Sequence, residues 1–227
     1  MNTVEPSDRI GVAVDVVIFT VDDGHLQVLL SRREHEPFEG RWALPGGFVR
    51  PDESADQAAE RELTAKAGLV GVFLEQLYTF SDPARDPRNR VVSVAYYALV
   101  SRDHLGAQAG LRESRWFRVD HRDGTARVPE LGLTKPCLAF DHDRILEAAV
   151  QRIQGKLEYV PIGFQLLPQH FTLTEIQQVY EAVLGRPIDK RNFRSKLLKS
   201  GQVREVDAYR TGAHRPARLY EFTRRTF

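Results

Sequence analysis

The chain has 227 residues, 42% of them hydrophobic and 28% charged, which suits a globular fold of one large domain, alone or with a smaller one. Its single cysteine, Cys137, excludes an internal disulfide and a cysteine-based zinc site, consistent with a reducing cytosol. The charge of +1 conceals an asymmetry: residues 1–160 carry a net −5 and residues 161–227 a net +6. A basic half of this kind points to a nucleic-acid partner. The start, MNTVEPSDR, has no basic head leading into an apolar run, so no signal peptide is expected. The richest apolar stretch, VAVDVVIFTV, is too short to span a membrane and carries Asp15. A cytoplasmic protein without membrane attachment is expected.

In chain order, Ile10–Val21 and Leu26–Ser31 read as a hairpin around the turn signal Asp23-Gly24. A polar loop leads to Trp42-Ala-Leu-Pro-Gly46-Gly47, whose glycines permit a tight bend and close backbone approach. Trp42 can stack on a ligand or pack in the core. The stretch Gly47 to Leu69 then follows the spacing G-x5-E-x7-R-E-U-x-E-E-x-G-U, with U a bulky aliphatic residue. Gly47, Glu53, Arg61, Glu62, Leu63, Gly68 and Leu69 are in register, whereas Ala65 and Lys66 stand where the pattern has paired glutamates. The pattern resembles the Nudix box, whose carboxylates hold magnesium, a hard cation that takes oxygen ligands. Ala55, Ala59, Leu63 and Ala67 are expected on a buried helix face, with Glu62, Ala65 and Lys66 together on another. A methyl and an ammonium replace two carboxylates, and the ammonium attracts a diphosphate and repels the metal. Binding without turnover is therefore expected, with no catalytic residues, no required cofactor, no magnesium site, and Glu53 and Glu62 as remnant acids. The alternative is a hydrolase that recruits ligands elsewhere, such as Glu53, Glu60 or a later loop.

Val70–Phe80 and Val91–Val100 read as strands around SDPARDPRNR, a loop that is either a diphosphate clamp or a solvated tip. Arg33, Arg50, Arg85 and Arg90 are candidate effector contacts, together with Trp42, Gly46, Gly47 and Phe48. A strand is expected at Ser114–Val119, with Trp116 and Phe117 packing inward. A helix capped by Asp141 runs to about Gln154, burying Ile145, Leu146, Ala149, Val150 and Ile153. These elements make an α/β/α sandwich over residues 1–155, followed by an ordered joint at 156–168 and a second domain at 169–227.

In that second domain Thr172-Leu-Thr-Glu175 is a capping box for a helix that Gly185 stops, and Asp189 caps a second, KRNFRSKLLKS. Phe193, Leu197 and Leu198 are expected to face the first helix. Asn192, Ser195 and Lys199, flanked by Arg191 and Lys196, point outward as a polar cationic face suited to the major groove. Lys190 and Arg194 join the DNA-binding candidates, Arg194 nearer the core. Val203–Arg210 and Arg218–Thr223 alternate like a hairpin wing, placing Arg210, His214, Arg215 and Arg218 near phosphates or the minor groove.

Taken together, the degenerate box, HEPFEGRWALPGGFV and SDPARDPRNRVVSVAYYAL, followed by TLTEIQQVYEAVLG, DKRNFRSKLLKSG and HRPARLYEF, resemble the Nudix-related transcriptional regulators of bacterial NAD metabolism. The resemblance implies an α+β chain, a Nudix sandwich with a mixed sheet followed by a winged helix-turn-helix. It also implies a homodimeric repressor of NAD synthesis or salvage genes that binds operator duplex and senses ADP-ribose or a related NAD metabolite. The first stretches are similar to ADP-ribose pyrophosphatases too, and the family has sugar-responsive relatives, so hydrolysis and a sugar effector stand as alternatives.

Overall fold

The computed structural model describes residues 9–105, 113–121, 123–132, 136–157, 160–211 and 216–223. Its first half is built on a seven-stranded sheet. β1 (Gly11–Asp22) and β2 (His25–Arg32) form the expected hairpin. β3 (Trp42–Ala43) pairs with β2, and β4 (Gly46–Phe48) with β1. β5 (Phe73–Phe80) and β6 (Val91–Leu99) follow, and β7 (Ser114–Arg118) pairs with β2. The order is β3-β2-β1-β6-β5, and the β1–β6 pairing alone is parallel among these, so the sheet is mixed.

Both faces of the sheet are covered, which is why β1 reads as nearly continuous apolar sequence. Val14, Val16 and Ile18 pack with Ala58, Ala59 and Leu63 of α1 (Ala55–Ala67). Val17 and Phe19 point the other way, into a core that holds Ile145, Leu146, Ala149 and Ile153 of α2 (His142–Leu157). Trp116 and Phe117 of β7 divide between these two faces, as neighbours on a strand must. Ser54 and Gln57 make a reciprocal capping box on α1, and Gly68, at φ 65°, ends it.

Three local expectations are corrected. A stripe of every fourth residue rotates by about 40° per turn; the buried face of α1 is accordingly Ala58, Ala59, Glu62 and Leu63, while Ala55 and Ala67 are half-buried. Glu62, Ala65 and Lys66 do stand together, one turn apart, with Glu62 buried and Ala65 and Lys66 exposed. Asp141 does not cap α2 with its side chain, because both carboxylate oxygens bind Arg85; only its backbone carbonyl accepts from Arg144 and Ile145. Lastly, α2 continues through Gly155 to Leu157.

A short 3-10 turn at Ile162–Leu166 leads to α3 (Leu173–Leu184), α4 (Lys190–Lys199) and a hairpin of β8 (Val203–Arg210) and β9 (Ala217–Phe222). Thr172 Oγ accepts from the Glu175 N–H, and the Glu175 carboxylate accepts from the Thr172 N–H at 2.6 Å, completing the expected box. Gly185 takes φ 70° and stops α3, and Asp189 caps α4 through the Asn192 N–H at 2.7 Å. Ile176, Val179, Val183, Leu197 and Tyr220 belong to the same continuous core as α2. Leu198 is 45% exposed rather than facing α3, because Phe193 and Leu197 already fill the side of α4 turned inward.

Candidate effector cleft and nucleic-acid interface

Gly46 and Gly47 form the floor of a cleft of about 220 Å³, walled by Phe48, Arg33, Arg88 and Phe140. The glycines are required by close approach. A Cβ on Gly46 would lie 2.4 Å from the Val14 carbonyl oxygen, and one on Gly47 would lie 2.5 Å from Glu62 Oε1. Phe140 takes φ 55° and meets Phe38, at φ 66°, edge-on at 4.9 Å. Left-handed backbone at a bulky residue is costly and concentrates at functional positions. The Arg33 guanidinium lies 4.7 Å from the Phe140 ring centre and that of Arg88 5.9 Å, so two cations meet one aromatic ring. Beyond Phe140 a second hollow, of about 490 Å³, opens between Phe38, Pro87 and Arg144.

The charges in this cleft are unequal. Arg88 is paired with Asp86 at 2.7 Å, which raises the Arg88 pKa. Arg33 donates to the carbonyls of Pro37, at 2.7 Å, and His35, at 3.2 Å. Burial and then the neighbouring Arg88 cation lower the Arg33 pKa, against the opposing pull of Asp86, Glu36 and Asp15. Arg85 lies deepest, buried between Asp15 at 3.1 Å and Asp141 at 2.8 Å. Asp15 also accepts from Ser93 Oγ at 2.6 Å and faces His142 Nε2 at 3.3 Å. The other ring nitrogen of His142 accepts from the Leu44 N–H at 2.9 Å, tying this cluster to the backbone that carries the glycines. Burial opposes ionisation of Asp15, but His142, Ser93 and Arg85 outweigh it and hold its carboxyl at about 2.

The residues of the box do not fit a magnesium ion. Arg61 binds Glu53 at 2.6 Å and also pairs with Glu62, so one guanidinium engages both remnant acids. That bond to Arg61 holds the Glu53 carboxyl at about 2. Positions 65 and 66 contribute an exposed methyl and an exposed ammonium. Among the described residues no group of three or more His, Cys, Asp or Glu side chains is placed to hold a metal.

Of the residues singled out from sequence, Arg33, Gly46, Gly47, Phe48 and Arg85 line the cleft. Trp42 does not: its indole packs edge-on against Phe117 at 4.7 Å. Arg50 is exposed outside the lining, and Arg90 donates to the carbonyls of Asp82 and Val91. In the loop at 81–90, Arg85 grips the protein's own acids, Arg88 reaches the cleft beside it, and most of the other residues are exposed. Arg88, one of the three arginines of the loop read as a possible clamp, lines the cleft as well, whereas Asp15, Phe140 and His142 were missed. An acid inside an otherwise apolar strand was a signal for Asp15; Phe140 and His142 offered none without knowledge of the fold.

The second site lies on α4 and the hairpin. Lys190, Arg191, Asn192, Ser195, Lys196 and Lys199 are all exposed, and the four cations among them make no ion pair among the described residues. Arg194 turns back to Thr174 Oγ at 2.9 Å, on the inner side as expected. Arg210 is held by Glu175 at 2.7 Å and by the His170 carbonyl at 3.0 Å. Arg218 pairs with Glu205 and Tyr209. His214 and Arg215 lie outside the described residues.

With both sites in place, the chain can be set beside known proteins. The NUDIX domain family matches residues 9–130, and the NrtR DNA-binding winged helix domain matches residues 163–222. An ADPR responsive transcriptional repressor of Acinetobacter baylyi is 37% identical over 211 residues, spanning 92% of this chain and 80% of the relative. This chain belongs to the NrtR family. The crystal structure of Shewanella oneidensis NrtR complexed with a 27mer DNA superposes with a TM-score of 0.79 at 34% identity, covering 93% of each chain. The NUDIX domain of that NrtR complexed with ADP ribose superposes with a TM-score of 0.50 at 36% identity, over 63% of this chain and 87% of that one. The NrtR family thus accounts for both halves, an α+β chain with a Nudix sandwich and a winged helix. No helix among the described residues is long and apolar enough to cross a membrane.

Proposed function

We infer that this chain is a transcriptional repressor of NAD synthesis or salvage genes, that it binds duplex DNA through α4 and the β8–β9 wing, and that ADP-ribose in the cleft weakens that binding. It acts as a homodimer in the cytoplasm, and it senses its ligand without cleaving it. Two observations carry the sensing half: Arg33 lines the cleft beside Phe140 without an ion pair among the described residues, and Arg61 engages both remnant acids. The first favours a diphosphate, since a guanidinium offers planar, bidentate donors. The second leaves neither remnant acid free to hold magnesium. The rings of Phe38 and Phe140 offer the base or ribose an apolar wall. In the second half of the chain, the cations of α4, without ion pairs among the described residues, surround Asn192 and Ser195, so phosphate contacts flank side chains that can read base edges.

Calorimetry with ADP-ribose, followed by product analysis after incubation with magnesium, tests this reading. Saturable binding with the ligand recovered intact supports it. Release of AMP and ribose 5-phosphate at an enzyme-like rate contradicts it.

A further inference from the structure

Helix α2 has one end at the cleft and the other against the DNA-binding half. At the first end Asp141 holds Arg85 through both carboxylate oxygens, at 2.8 and 3.1 Å, and His142 spans Asp15 and the Leu44 N–H. About 18 Å further along the helix, at 1.5 Å per residue, stands Gln154. Its Nε2 donates to the Val183 carbonyl at 3.1 Å and to His121 Nδ1 at 3.1 Å. His121 is buried, and its Nε2 lies 3.0 Å from the Ala182 carbonyl. A ring that accepts at Nδ1 donates at Nε2, so every proton in this cluster has one place.

Ala182 and Val183 sit in the last turn of α3, where helix carbonyls have no partner within the helix. The Gly185 N–H serves Glu181, and the next two carbonyls are served from the Nudix half. Around these bonds α2 and α3 share one apolar core, which holds Ile153 and Val183. Apolar packing is non-directional, whereas hydrogen bonds weaken steeply when their angle changes. The Gln154 and His121 bonds therefore set the angle at which α3, and α4 behind it, is held.

We propose that Gln154 is a positioning residue that ties the orientation of the DNA-binding half to occupancy of the cleft, with α2 as the rod between them. This rests on the effector reading above. Arg85 is shared between Asp15 and Asp141, and a diphosphate in the cleft competes with Asp141 for its guanidinium. The first turn of α2 then loses one of its two anchors and pivots on the other, His142, and any shift of the rod moves Gln154 relative to the Val183 carbonyl. The ligand acts on DNA affinity only as far as it favours one of the two arrangements.

The test uses the full chain and a labelled duplex selected by the protein from a random-sequence pool. Calorimetry gives the Kd for ADP-ribose, and anisotropy gives the Kd for duplex with and without ADP-ribose. Gln154→Ala and Gln154→Met are compared with the wild type, Met keeping the length and packing of the side chain. The expected result is ADP-ribose affinity within about twofold of wild type, while the ADP-ribose effect on duplex Kd drops from about tenfold to under about threefold. A residue that only supports the fold would lower the thermal midpoint and leave that effect whole. A full-sized effect in folded Gln154→Met overturns the proposal alone. No effect in the wild type overturns the effector reading and this proposal with it.

Discussion

A Cβ placed on Gly47 would lie 2.5 Å from Oε1 of Glu62, a carboxylate buried and paired with Arg61. The box glycine and the box glutamate are therefore in direct contact, and this contact persists although the acids beyond it are gone. It explains why part of the motif survives the loss of the metal set: Glu53, Arg61 and Glu62 brace the glycine turn that floors the cleft.

Gly46→Ala and Gly47→Ala separate backbone from side-chain crowding. The new methyl at 46 meets the Val14 carbonyl oxygen at 2.4 Å, and a backbone atom inside a sheet cannot move aside. The methyl at 47 meets only the end of a side chain. Urea unfolding should show a loss of about 3 kcal/mol for Gly46→Ala against about 1 kcal/mol for Gly47→Ala, within the usual range for overpacking. Equal losses would mean that the floor is not as tight as described.

Restoring acids should restore metal affinity. Ala65→Glu with Lys66→Glu returns two carboxylates to an exposed stretch of α1, one turn from Glu62. Isothermal titration with magnesium should give weak, saturable binding for the double variant and none for the wild type. Comparable magnesium binding by both proteins would place the metal site elsewhere in the chain.

The cations of the DNA-binding half divide by their partners. Arg191→Ala and Lys199→Ala each remove an exposed charge, so each should lower the slope of log K against log salt by about 1. Arg210 is different. It closes on the same Glu175 that caps α3, so Arg210→Ala should lower the thermal midpoint while changing the slope less. A salt slope that Arg191→Ala leaves intact would remove that residue from the interface.

Much of this architecture was legible in the sequence, because the informative signals were local. The period of α2 marked its buried face, the Thr172–Glu175 box and Gly185 bounded α3, and Asp23-Gly24 marked the first hairpin. The cleft was less legible, because its chemistry depends on pairings across the chain: Arg85 with Asp15 over 70 residues, and with Asp141 over 56. Asp141 has the right residue type to cap a helix, and only the fold shows its carboxylate committed to an arginine. Leu198 misled for a related reason, since a helix wheel gives direction but not how much room the partner helix leaves.

Acid should expose the buried cluster. Asp15 has its carboxyl held at about 2 instead of 3.8, so the stability it contributes is fully present above pH 4 and is lost as the pH falls through about 2. That loss is on the order of 2 kcal/mol. Unfolding free energies measured from pH 5 to pH 2 should fall less steeply in Asp15→Asn than in wild type, and the variant should be the less stable of the two at pH 5. Parallel curves would show that Asp15 is not the group responsible.

The central claim joins the two halves of the chain: a cleft that has lost its metal ligands controls a basic helix that binds duplex. Its most direct test is anisotropy of a labelled, protein-selected duplex held by the protein while ADP-ribose is added at constant salt without magnesium. Release of the duplex along a saturable curve, with ADP-ribose binding weakened by the same factor when duplex is present, is the expected result. An anisotropy that stays level through saturation of the cleft would contradict the account.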